Sequence, residues 1–137
     1  MCNARVGQRA VFSKTITVAD IEAFAMATGD ENPVHLDDCY AATTRFGGRI
    51  AHGILTVGLI SACIAQNWPG SIYLSQQARF VKPVRPNDRI TADVEVTALD
   101  VQRSRITLRT VCINQNGEQV VDGSAEVWLP REVGGGL

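Results

Sequence analysis

Two stretches hold both histidines of this 137-residue chain. In the first, Gly29-Asp30-Glu31-Asn32-Pro33-Val34-His35-Leu36-Asp37, a carboxylate and an imidazole stand five residues apart across an Asn-Pro step. A histidine titrates near neutral pH, and a carboxylate beside it can hold one tautomer or share in taking a proton from water. Asn32 can brace the segment by hydrogen bonds. Pro33 restricts φ, so less entropy is lost in holding Asp30 and His35 still. No serine or cysteine is placed as an evident nucleophile, which leaves water as the expected attacking species. The same residues also have a plainer use: Asp30 after a glycine folds an Asx-turn, Asn32-Pro33 opens a stiff loop, and His35 is then an ordinary surface side chain.

The second stretch, Arg49-Ile50-Ala51-His52-Gly53, runs into Ile54–Ala65, which carries no charge. A helix starting beside Gly53 turns free N–H groups and the positive end of its dipole toward whatever the first stretch acts on. Gly53 has no Cβ and admits close approach to its own N–H. Such a donor suits an oxygen that gains negative charge in a transition state, as a thioester carbonyl does on becoming enolate-like. His52 is read as an orienting residue at the start of this helix. Two histidines with Asp30 and Asp37 can in principle form a mixed nitrogen and oxygen shell, but neither H-x-x-x-H nor H-E-x-x-H occurs, and no metal is expected.

Around these stretches the periodicity lays out the elements. Thr17-Val18-Ala19-Asp20 matches a capping box, and Ile21, Phe24, Ala25 and Thr28 follow at helical spacing until Gly29. Asp37 can cap a second short helix over residues 38–43. A third helix, from about Gly53 to Asn67, lacks a polar face and must be surrounded. After Trp68-Pro69-Gly70 the period changes to two. Strands are expected at Ile72–Val81, Ile90–Thr97, Ser104–Ile113 and Val121–Leu129, with a hairpin turn at Asn116-Gly117 and a short strand before the first helix. One antiparallel sheet laid around one apolar helix covers both. That helix is too apolar for one small sheet to hide on every side, so a homodimer is expected.

Composition narrows the class. With 45% apolar residues, 137 residues can bury one good core, and residues 1–137 are read as a single domain. Thirteen basic and fourteen acidic residues are spread without a basic stripe, so no nucleic-acid partner is expected. The apolar run is too short to cross a bilayer, and residues 1–17 contain no secretory apolar region, which points to no membrane partner and a cytoplasmic setting. Cys2, Cys39, Cys63 and Cys112 are too irregularly spaced for a metal site, and free thiols are expected, with Cys63 and Cys112 buried. Gly134-Gly135-Gly136-Leu137 reads as a frayed tail.

Residues Gly29–Asp37, together with Gly47–Leu55, closely resemble the MaoC-like (R)-specific enoyl-CoA hydratases, and Gly70–Gln76 resembles their segment after the central helix. The resemblance runs from about Val6 to Pro130. It implies an α+β hot dog fold, a long central helix wrapped by an antiparallel sheet, dimerised so that two sheets become one. It implies that Asp30 and His35 are catalytic, that Gly53 is the backbone oxyanion donor, that Asn32 braces the loop, and that Ser61 falls where the family lines its acyl pocket. Trp68, Tyr73, Leu74 and the residues around Ile60 and Ser61 are the candidates to border that pocket.

The implied reaction is reversible syn addition of water to a trans-2-enoyl-CoA, giving the (3R)-hydroxyacyl-CoA. It needs no cofactor beyond the coenzyme A that the substrate carries. Arg79, Lys82, Arg85 and Arg89 offer positive charge for its phosphates, although solvated surface is an equally good use of any one of them. Two alternatives stand beside this reading. One is a dehydratase acting on another acyl thioester; the other is a non-catalytic acyl-CoA-binding subunit, which would need neither Asp30 nor His35.

Overall fold

The computed structural model describes residues 4–131; Cys2 and the glycine-rich tail lie outside them. Strand β1 (Arg9–Thr15) leads to helix α1 (Val18–Thr28), the one-turn helix α2 (Pro33–Leu36), the short helix α3 (Asp38–Ala42) and the fifteen-residue helix α4 (Gly53–Asn67). Four strands complete the chain: β2 (Ile72–Phe80), β3 (Arg89–Asp100), β4 (Arg105–Ile113) and β5 (Gln119–Trp128).

All five strands form one antiparallel sheet in the order β1-β3-β4-β5-β2. The inward residues are those that alternation singles out: Ile90, Ala92, Val94 and Val96 on β3, then Ile106, Leu108 and Cys112 on β4. They join Leu59, Ile60, Cys63 and Ile64 of α4 in a continuous core. Each such aliphatic side chain contributes about 2 kcal/mol by leaving water. On β5 the alternation breaks. The register with β4 shifts between Cys112 and Ile113, so Val120 and Val121 are both buried.

The helix boundaries follow local chemistry. Thr17 and Asp20 form the reciprocal capping box, and Gly29, at φ +83°, closes α1 in the left-handed conformation. Asn32 caps α2 through its side chain, with Pro33 in the first turn, so the segment expected as a stiff loop is a helical turn. Asp37 accepts from the Tyr40 N–H and caps α3. At the β4–β5 hairpin Gly117 alone takes positive φ, while Asn114 Oδ1 accepts from the Asn116 and Glu118 N–H groups, making a longer turn than a two-residue one.

The sheet does not cover α4 completely. Ile54, Gly58, Ser61 and Ala65 form one exposed stripe along it, with Ile54 59% exposed. Edge strand β2 also carries exposed Ile72, Leu74 and Phe80. Cys63 and Cys112 are buried free thiols, and burial pushes them up to about 11 and about 12, outside the reactive range. Cys39 is free and exposed.

Candidate active site

Asp30 follows the glycine that stops α1, and its main chain is tied in place. Its N–H donates to Thr28 Oγ1 at 3.1 Å, and its Oδ1 accepts from the Asn32 N–H at 3.3 Å. Asn32 Oδ1 then accepts from the Val34 N–H at 3.3 Å, which sets the turn that carries His35. Asn32 is thus the cap of the one-turn helix that carries His35.

His35 is buried, at 8% exposure, and its ring is oriented by the stretch before α4. Nδ1 lies 2.8 Å from the Ile50 carbonyl oxygen. A carbonyl only accepts, so Nδ1 carries the hydrogen and Nε2 of the neutral ring keeps its lone pair. The Ile50 N–H returns a bond to the Val34 carbonyl at 3.3 Å, while the Ala51 N–H donates to the Val84 carbonyl at 2.7 Å and fastens the stretch to the chain before β3. Arg49 adds an ion pair to Asp38 at 2.8 Å.

His52 precedes α4 and is 2% exposed. Its Nε2–H donates to the Asp30 carbonyl at 3.0 Å, and its ring lies against that of His35, centroids 3.9 Å apart and planes at 33°. Phe24 of α1 packs on it as well, at 4.7 Å. A carboxylate oxygen of Asp30 and one ring nitrogen each of His35 and His52 fall within 4.8 Å of one another. Sequence spacing could not show this closeness. His35 Nδ1 and His52 Nε2 each face a carbonyl oxygen, so the nitrogens that keep a lone pair are His35 Nε2 and His52 Nδ1.

The electrostatics favour a neutral imidazole at His35. Burial is the largest influence on His35 and lowers its pKa below the ordinary 6.5; the Ile50 carbonyl opposes this, His52 adds to it, and Asp30 opposes it.

His35 opens onto a cavity of about 320 Å³ that Gly53, Ile54, Thr56, Phe80, Val84, Val120 and Val121 help to line. Leu55 and Thr56 donate their N–H groups to the His52 carbonyl, whereas the Gly53 and Ile54 amides find no backbone acceptor among the described residues. Phe80 crosses directly over Gly53: a Cβ there would lie 2.5 Å from the ring. Neither Phe80 nor Thr56 was marked by its sequence context.

Arg45 and Lys82 also border the cavity. Lys82 is ion-paired with Glu118, and Arg45 stacks over Phe46. Arg85 donates to the Gly48 carbonyl at 3.4 Å. Arg79 and Arg89 are exposed and outside the cavity lining. Ser61, Tyr73 and Leu74 do not border it either: Ser61 and Leu74 are exposed, and the Tyr73 hydroxyl bonds to Gln76.

An apolar helix held in one antiparallel sheet defines a hot dog fold, and here an acid and an imidazole stand beside the N-terminal end of that helix. The sequence model of the MaoC like domain matches residues 3–116, and the chain belongs to that family. It is 46% identical over 127 residues to the (R)-specific enoyl-CoA hydratase of Aeromonas caviae, covering 91% of this chain and 95% of that protein. It is 43% identical over 129 residues to the 3-hydroxybutyryl-CoA dehydratase of Methylorubrum extorquens, covering 93% and 82%. Among solved structures, the (R)-hydratase from A. caviae involved in PHA biosynthesis superposes with a TM-score of 0.90 at 43% identity, covering 95% of this chain and all of the other.

Proposed function

We propose that this chain is an (R)-specific enoyl-CoA hydratase, adding water reversibly to trans-2-enoyl-CoA to give the (3R)-hydroxyacyl-CoA. The observation that carries the reading is that His35, with Nε2 unbonded among the described residues, and Gly53, whose N–H has no backbone acceptor among them, border one cavity, while the Asp30 carboxylate stands within 4.8 Å of the imidazole. Identity with curated hydratases over most of the chain supports the substrate class.

In the hydration direction the Asp30/His35 pair takes a proton from water as its oxygen bonds to C3. The electrons of the double bond move onto the thioester, and the Gly53 N–H with the N-terminal end of α4 meets the charge developing on its oxygen. The proton held by the pair then passes to C2 on the same face. The proton belongs to the coupled pair, so the pair is the catalytic unit. No cofactor enters beyond the coenzyme A of the substrate, and activity is expected to survive exhaustive chelation.

The acyl pocket is assigned to Ser61 on the resemblance, with Tyr73 and Leu74 as candidates for its border. For residues on the exposed face of α4 and along β2, that assignment requires a second copy of the chain. The exposed stripe Ile54–Gly58–Ser61–Ala65 and the open edge of β2 support a homodimer, which light scattering on purified protein tests directly. In this reading the whole chain acts as one domain. It needs neither nucleic acid nor membrane, and no helix among the described residues is long and apolar enough to cross a bilayer. A cytoplasmic setting follows from the same reading.

Crotonyl-CoA is the test substrate. Loss of the enoyl absorbance without free thiol, and a (3R) product by chiral analysis, is the expected result. Thiol release would place the attack at C1 and overturn it.

A further inference from the structure

His52 touches both members of the catalytic pair without being one of them. Its N–H holds the main chain of Asp30 from one side, and its ring covers one face of His35. We propose that His52 is a positioning residue with two separable tasks: its Nε2–H sets where the Asp30 carboxylate starts from, and its ring keeps water from one face of His35 so that the imidazole meets substrate as a neutral base. The first task rests on the hydratase reading; the second concerns the imidazole alone.

The geometry separates the two tasks. The hydrogen on Nε2 is committed to a carbonyl that can only accept. Nδ1 is buried and has no hydrogen-bond partner among the described residues, so the ring offers no polar bond in the direction of that atom. The ring therefore acts toward His35 as an apolar lid. A face pressed against a ring at 3.9 Å has no room for water, and loss of water disfavours the imidazolium.

The groups facing His35 are few. Asp30 faces it from the α1–α2 connection and His52 from the start of α4; Arg45 and Lys82 border its cavity, Lys82 being held by Glu118. Burial is the largest influence on this histidine, in keeping with a lid.

Two variants divide the tasks. His52→Gln keeps an amide donor near the position of Nε2 and removes the ring; His52→Phe keeps the ring and removes the donor. Because the chain has only two histidines, the single imidazole NMR signal of either variant belongs to His35. In His52→Gln the titration midpoint of His35 is expected to move upward, with kcat above neutral pH within about threefold of the parent. In His52→Phe the midpoint is expected to stay, and kcat to fall about tenfold or more with little change in KM, as for a misplaced catalytic group.

An unmoved midpoint in His52→Gln overturns the shielding, and an undiminished kcat in His52→Phe overturns the positioning. Should His52→Phe not fold, His52→Leu, lacking ring and donor alike, must show both changes. A parent protein that hydrates no enoyl thioester sinks the proposed reaction instead, and the His35 titration still decides the shielding.

Discussion

The ring of Phe80, at the end of β2, lies so close over Gly53 that a methyl group on Gly53 would sit 2.5 Å from Cε1 and 2.6 Å from Cδ1. Glycine here leaves room for an aromatic ring as well as for a ligand to reach the N–H. Gly53→Val should lower kcat/KM about a hundredfold, the order seen when an oxyanion donor is lost. Phe80 is half-exposed and its ring can swing away. Gly53→Val combined with Phe80→Ala removes the clash altogether and should leave turnover as low as in the single variant. Normal kinetics in the single variant would remove Gly53 from the mechanism.

Asp30→Asn and His35→Ala should each lower kcat by about 10² or more, a loss typical of general acid–base groups, with the circular dichroism spectrum retained. The double variant should be little worse than either single one if the two act as one proton-transfer unit. Steady-state hydration of crotonyl-CoA measures all three, and near-normal turnover by either single variant would refute the assigned roles.

The lowered pKa of His35 fixes the sign of two pH effects. As the proposed base, His35 stays neutral below the ordinary 6.5, so the acid limb of kcat/KM should lie below that value. Stability follows the same group. The unfolded chain binds a proton near 6.5 and the folded chain only at lower pH, so this contribution is complete above 6.5 and declines as pH falls from there toward the folded value. Urea midpoints measured from roughly pH 8 to pH 5 should drop less in His35→Ala than in the parent.

Gly123 of β5 faces backbone, not a side chain. A Cβ there would fall 1.9 Å from the Gln77 carbonyl oxygen and 3.0 Å from the Ala78 Cα of β2. Neither atom can swing aside, because Gly123 pairs with Ala78 within the sheet. Gly123→Ala should cost about 3 kcal/mol and lower Tm by roughly 10 °C, read by calorimetry. An unchanged Tm would mean that β2 and β5 separate locally at little expense.

Local signals carried well from sequence to structure. Thr17, Gly29 and Asp37 bound helices where their capping chemistry placed them, and β3 buries the alternating set Ile90, Ala92, Val94 and Val96. The Asn32-Pro33 step was harder to read, because the same pair opens a loop or caps a helix, and the return bond from His35 N–H to the Asn32 carbonyl decides between them. Long-range facts left no trace in any window. The strand order places β2 beside β5 and β1 beside β3, Phe80 meets Gly53 across 27 positions, and the two histidine rings come together only when the turn of α2 meets the stretch before α4. Ser61 and Leu74 carry no positional signal of their own, and in the single chain they face outward.

The segment bearing Asp30 and His35 belongs to no strand. It is fastened to the stretch before α4 by the bonds from His35 to Ile50, from Ile50 to Val34 and from His52 to Asp30. On the proposed mechanism, reactivity and most of the durability at neutral pH therefore reside in different parts of the molecule. Substitutions along this bracket can retune the chemistry while β3, β4 and β5 keep their melting point, and changes inside those strands can weaken the protein without altering what it does to its substrate.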